Sequence, residues 1–161
     1  MSVPFARETL KGFGGLRRTD TIGRELQHNL RRLDEEPWAE TVRHLDALRN
    51  AGTVESERVF ANYIDERFQG FGPKQSRNLI QYLGLSRYEI PLDSRITKWL
   101  RRFGFPMELS PTALADRGYY EFVLEGFQEL CRRSDIYPCV LDAAIFTSFD
   151  DGKWKEDQVV W

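Results

Sequence analysis

Phe68-Gln69-Gly70-Phe71-Gly72-Pro73-Lys74 decides how this chain of 161 residues folds. Glycine tolerates the left-handed backbone of a tight turn, and proline suits the first position of a helix, where an N–H would have no partner. The stretch therefore ends one helix and opens another. Upstream, Thr53 or Ser56 caps a helix with Val59, Phe60, Tyr63, Ile64 and Phe68 as its apolar stripe. Downstream, Ser76, Leu79, Ile80 and Leu83 form a buried face, Lys74, Arg77, Asn78 and Gln81 the opposite one, and Gly84 closes the helix. The spacing predicts a helical hairpin over 58–83.

Outward from the hairpin the pattern stays helical. Leu26, Leu30 and Leu33 space like one face of a helix that Glu36-Pro37 ends. Trp38 starts another, carrying Val42, Leu45 and Leu48 as far as Asn50-Ala51-Gly52. Beyond Ile90-Pro91-Leu92, Asp93 sits where an N-cap belongs, and Ile96, Trp99, Leu100 and Phe103 extend a helix over 93–103. Helical stretches over 111–149 follow, the first interrupted near Gly118 with Val123, Phe127 and Leu130 as its core face, the last opened by Pro138. From Asp150 onward the chain reads as a loop or tail, with Asp157–Trp161 its one weak strand candidate. The whole, 1–161, is expected to be one all-α domain of seven or eight short helices.

Composition narrows the function. Hydrophobic residues at 41% and charged residues at 30% suit a folded soluble protein, and there is no apolar run long enough for a membrane span. The opening residues lack the basic-then-apolar build of a secretory signal, and Cys131 and Cys139 are the only cysteines. That excludes a four-cysteine zinc or iron–sulfur site and points to a cytoplasmic setting. The net charge is −2, but it is unevenly spread: Arg67 to Arg102 holds eight basic residues against Glu89 and Asp93. A basic face on an otherwise acidic chain can bind a polyanion; it is equally the composition of a solvated helix surface.

Lys74 falls in the first turn of its helix, where the helix dipole disfavours a cation and favours the neutral, nucleophilic amine. Its plain alternative is a lysine that contacts phosphate or nothing. Asp93 has a plain alternative too, as an N-cap worth ~1 kcal/mol. Together they stand 19 residues apart at the starts of two successive helices, which can bring both to one cleft. An amine facing a carboxylate suits substitution at a carbon that develops positive charge, such as an anomeric carbon losing its base.

The hairpin residues Phe68 to Lys74, followed by Ile90-Pro91-Leu92-Asp93-Ser94-Arg95-Ile96, resemble the signature of the helix-hairpin-helix DNA glycosylase superfamily. A lysine directly after the hairpin is similar to the bifunctional members. Its interval to the aspartate matches best the short 8-oxoguanine DNA glycosylase/AP lyases of bacteria and archaea. The strong match covers roughly residues 55–105. The resemblance implies a two-lobed helical bundle with a cleft between lobes, in which Lys74 attacks C1′ of a flipped nucleotide and Asp93 assists. Gly70 and Gly72 would hold the phosphate backbone, with Arg77, Arg95, Lys98 and Arg102 as further DNA contacts. Asp142 and Phe146, one turn apart in the last helix, fall where that branch places a base reader and a stacking ring, and Asn78 joins them in the expected base pocket.

The expectation is thus a monomeric enzyme that removes an oxidised purine, 8-oxoguanine first, from double-stranded DNA through a lysine Schiff base. It implies no organic cofactor and no protein metal site, though hairpin carbonyls could hold a monovalent cation. Asn78 and Arg95 depart from the pattern of the large enzymes; Trp161 reads either as an unremarkable tail or as similar to the terminal residues that approach the pocket in the short branch. Two alternatives stay open: a glycosylase for another modified base, such as a modified cytosine, and a non-catalytic DNA-binding module.

Overall fold

A computed structural model describes residues 3–13, 18–35 and 37–149. In chain order the helices are α1 (Val3–Phe13), α2 (Thr19–Glu35), α3 (Pro37–Ala51), α4 (Val54–Arg67), α5 (Pro73–Tyr82), α6 (Ser94–Phe103), α7 (Arg117–Arg133) and α8 (Pro138–Ser148), with a 3₁₀ turn at Ala113–Ala115. The described residues form no strand, so the chain is all-α. No helix among them is long and apolar enough to cross a membrane. The expected strand at Asp157–Trp161, like Trp161 itself, lies outside the described residues.

Local chemistry fixes the helix starts. The Thr53 hydroxyl accepts from the Ser56 N–H at 3.1 Å and the Thr53 N–H donates to Ser56 Oγ at 2.9 Å, a reciprocal cap that opens α4. Pro73 and Pro138 occupy the first turns of α5 and α8. Asp93 caps α6, its Oδ1 accepting from the N–H groups of Arg95 at 2.8 Å and Ile96 at 3.0 Å. Between α4 and α5, Gly70 adopts φ +81°, the left-handed conformation that favours glycine there.

Two apolar cores result. One gathers Leu48 of α3, Phe60 and Ile64 of α4, Phe68, and Ile80 of α5. The other gathers Ile90, Ile96 and Leu100 with Val123 and Phe127 of α7 and Ile145 of α8. Between them runs a buried polar seam. Glu57 is fully buried, its carboxylate accepting the N–H groups of Arg87, Tyr88 and Glu89 at 2.9, 2.8 and 2.8 Å. Arg77 and Glu89 are fully buried as well, with Arg77 Nη2 2.8 Å from the Glu89 carboxylate and Arg58 Nε 3.2 Å from its other oxygen. The seam holds the loop that leads into Asp93.

Several expectations are corrected. Arg77 is on the buried side of α5, because Glu89 supplies a desolvated partner and the Pro73 carbonyl accepts from Nη1 at 3.2 Å. Leu83, expected inside, is 48% exposed beyond the end of α5. The break expected near Gly118 is present, at Asp116 between the 3₁₀ turn and α7; Gly118 itself lies in the first turn of α7, whose start is set by Asp116 accepting from the Tyr119 N–H at 2.8 Å. On α2, Leu26 and Leu30 stay partly exposed while Asn29 turns inward, because its amide clamps the backbone of Gln69 through both a donated and an accepted bond. The helix α1 carried no expectation.

Candidate functional site

The starts of α5 and α6 face the same open cleft of about 990 Å³. Gly72, Pro73, Lys74 and Gln75 form one side, Leu92 to Arg95 with Lys98 and Arg101 the other, and Leu109, Leu114 and Tyr120 line it further. Lys74 and Asp93 therefore border one space, brought there by two helix starts rather than by adjacency in sequence. Lys74 is half-buried, and its amine has neither an ion pair nor a hydrogen bond among the described residues. Asp93 is busier: Oδ1 caps α6, and Oδ2 lies 3.4 Å from the Arg95 guanidinium. Its side chain is 23% exposed.

Tyr120 positions the loop beneath. It is fully buried, donates from its hydroxyl to the Ile90 carbonyl at 3.0 Å and accepts from the Leu92 N–H at 2.7 Å. Burial raises the phenol's pKa well above the usual tyrosine range, so it stays a protonated donor. The Arg77 guanidinium sits 5.0 Å from the centre of its ring, which couples this clamp to the seam.

Helix α8 packs beside α6, and none of its residues borders the cleft itself. The Asp142 carboxylate accepts from Gln81 Nε2 at 2.5 Å. Burial raises its pKa, the nearby Asp93 charge adds to the effect, and Gln81 and Arg95 oppose it. Phe146 is 38% exposed, and the Arg95 guanidinium lies over its ring at 4.1 Å from the centroid. Thus Arg95 links Asp93 on α6 to Phe146 on α8. Asn78 is not in this group. Its amide donates to Gln75 at 2.9 Å, and Gln81 holds the place on Asp142. Lys98 and Arg102 are exposed, each about 5 Å from the Phe149 ring (5.2 and 5.3 Å).

At the hairpin, a Cβ on Gly72 would meet open space. A Cβ on Gly70 would come within 2.6 Å of the Glu25 carboxylate, so α2 lays a negative charge against that glycine. Arg77 cannot serve as a phosphate contact, since its guanidinium is desolvated and already paired. Sequence reasoning missed Gln81 and Tyr120: their partners lie 61 and 28 to 30 residues away, and no local pattern signals such pairs.

A second cavity, of about 480 Å³, is bordered by Tyr88, Gln128, Tyr137 and several acids. There Glu125 pairs with Arg58 and Glu129 with Arg132 and Arg133, so much of its charge is neutralised. The candidate chemistry stays with the first cleft. No group of three His, Cys, Asp or Glu among the described residues could hold a metal ion. No protein-family model, curated protein sequence or solved structure matches the chain.

Proposed function

We propose that the chain is a bifunctional DNA glycosylase and AP lyase of the helix-hairpin-helix type, excising an oxidised purine, 8-oxoguanine first, as a monomer. The observation that carries this reading is the shared cleft of Lys74 and Asp93, with an amine that has no competing partner among the described residues. The Lys74 nitrogen attacks C1′ of an extruded nucleotide, the glycosidic bond breaks, and the base departs with its electron pair. The C1′–O4′ bond then opens, the ring oxygen taking up a proton, and the nitrogen's lone pair closes a protonated Schiff base that acidifies the neighbouring C2′ proton. Its loss expels the 3′ phosphate and nicks the strand. The Asp93 carboxylate stabilises the positive sugar as the base leaves. Asp142 accepts from the donor edge of a guanine-type base and Phe146 offers it a ring to stack on.

Borohydride added to the protein with an 8-oxoguanine duplex tests this. A covalent protein–DNA adduct is expected with the native chain and none with Lys74→Gln. No adduct with any damaged purine, or one that survives the substitution, refutes the assignment.

A second reading, a non-catalytic DNA-binding module, is favoured by one observation: the Asp93 carboxylate is engaged as a helix cap and by Arg95. Under it, Asp93→Asn weakens DNA binding and strand cleavage is absent throughout. Under the enzymatic reading, Asp93→Asn slows base release much more than it weakens binding.

A further inference from the structure

Arg95 touches or influences each group that the site offers to a base. Its Nη1 lies 3.4 Å from Asp93 Oδ2, its guanidinium carbon lies 4.1 Å from the centre of the Phe146 ring, and its charge reaches Asp142. The side chain is 43% exposed, so it can swing away without opening a core. A guanidinium is flat, delocalised and rimmed with N–H donors, and it stacks on aromatic faces. Guanine carries the same chemical fragment: N1, C2, N2 and N3 form a guanidine, with N1–H and N2–H donors on one edge. A carboxylate facing an aromatic ring receives either group in the same way.

The geometry points to Arg95 as an internal stand-in for the base and a specificity-determining residue: its guanidinium covers the Phe146 ring and pairs with the Asp93 carboxylate until an incoming base displaces it. This rests on the reading of Phe146 and Asp142 as base contacts. Displacement frees the Asp93 carboxylate in the same movement, which ties availability of that group to occupancy of the pocket. It also sets a selectivity rule. A ring that brings its own guanidine edge replaces the stacking on Phe146 that Arg95 gives up and offers its N–H donors to Asp142, so Asp93 stays free. A cytosine-type ring turns the acceptors N3 and O2 toward the Asp142 carboxylate, lone pairs against lone pairs.

The test uses the full chain and free nucleosides, with binding read by saturation-transfer NMR, so that neither DNA nor Lys74 chemistry is required. Arg95→Ala is expected to bind guanosine about fivefold more tightly than the native chain, in line with removal of one cation–ring interaction, and cytidine no better. Methylguanidinium added to Arg95→Ala should displace guanosine, and Phe146→Ala in that background should abolish binding. Arg95→Lys keeps the charge but loses the flat face, and should shift guanosine affinity in the same direction by less. Equal guanosine binding by native chain and Arg95→Ala, equal gains for cytidine, or no competition by methylguanidinium overturns the proposal. The two readings fail separately. A guanosine gain without borohydride trapping keeps the role of Arg95 and removes the lyase; trapping without a gain does the reverse.

Discussion

Asp142 holds its proton to a higher pH than the ordinary aspartate value of 3.8, chiefly because burial disfavours its charge. The ionised form is the one that accepts from a base edge, so base release should fall as pH drops through this raised value. The acid limb of the rate profile should accordingly lie above that of an exposed aspartate and disappear in Asp142→Asn. Stability runs the other way. A raised folded-state pKa contributes stability that is full below the unfolded value and is lost as pH rises through the folded one. Measuring single-turnover base release and urea midpoints across pH ~3.5 to ~8 checks both signs. A rate profile with no acid limb in the native chain would remove Asp142 from the pocket. The residues that cap helices were readable in advance: Asp93 and Pro73 announce their places by side-chain chemistry and local spacing. Arg77 was not, because spacing along one helix says where a side chain points and nothing about the Glu89 carboxylate waiting there. Gln81 and Asp142 meet across two helices, and neither residue hints at the other in sequence.

Helix starts and turns bear the next level of prediction. Glu57 satisfies three backbone donors in the loop before Asp93, and its side chain is sealed from solvent. Glu57→Ala leaves those buried N–H groups without partners and should cost roughly 2–4 kcal/mol, read as a lower urea midpoint. Gly70→Ala should cost about 1–2 kcal/mol through its positive φ, with Glu25→Ala restoring little because the backbone, not the flexible carboxylate, sets the penalty. Thermal unfolding of the single and double variants distinguishes the two contributions. Helices α3 to α6 and α8 were legible from apolar periodicity and their stops. The break before α7 was legible to within two residues: it falls at Asp116, which caps α7, and Gly118 lies in the first turn beyond it. The inward turn of Asn29 on α2 had no signal in the sequence, because that residue owes its burial to a hairpin forty residues later.

At the scale of the molecule, the basic residues of α6 lie outward beside the cleft while those of the seam lie inward. Arg101 is exposed too but donates to the Leu109 carbonyl, which leaves Lys98 and Arg102 as the exposed pair with no hydrogen bond among the described residues. Replacing both by glutamine should flatten the dependence of duplex affinity on log salt by about 0.9 for each phosphate that is no longer neutralised. An unchanged slope in a fluorescence-anisotropy titration would move the DNA to another face. Fold class was readable because periodicity is local, whereas the ionic seam that parts the two cores was not, since charged residues in sequence look like surface. That partition has a hereditary consequence. Aliphatic positions inside either core can drift one methyl group at a time, but Arg77, Glu89 and Arg58 form an ionic lattice in which one altered member strands the others. Descendants of this chain must change them in concert or leave them alone, so the middle of the molecule ages more slowly than the hydrocarbon on either side.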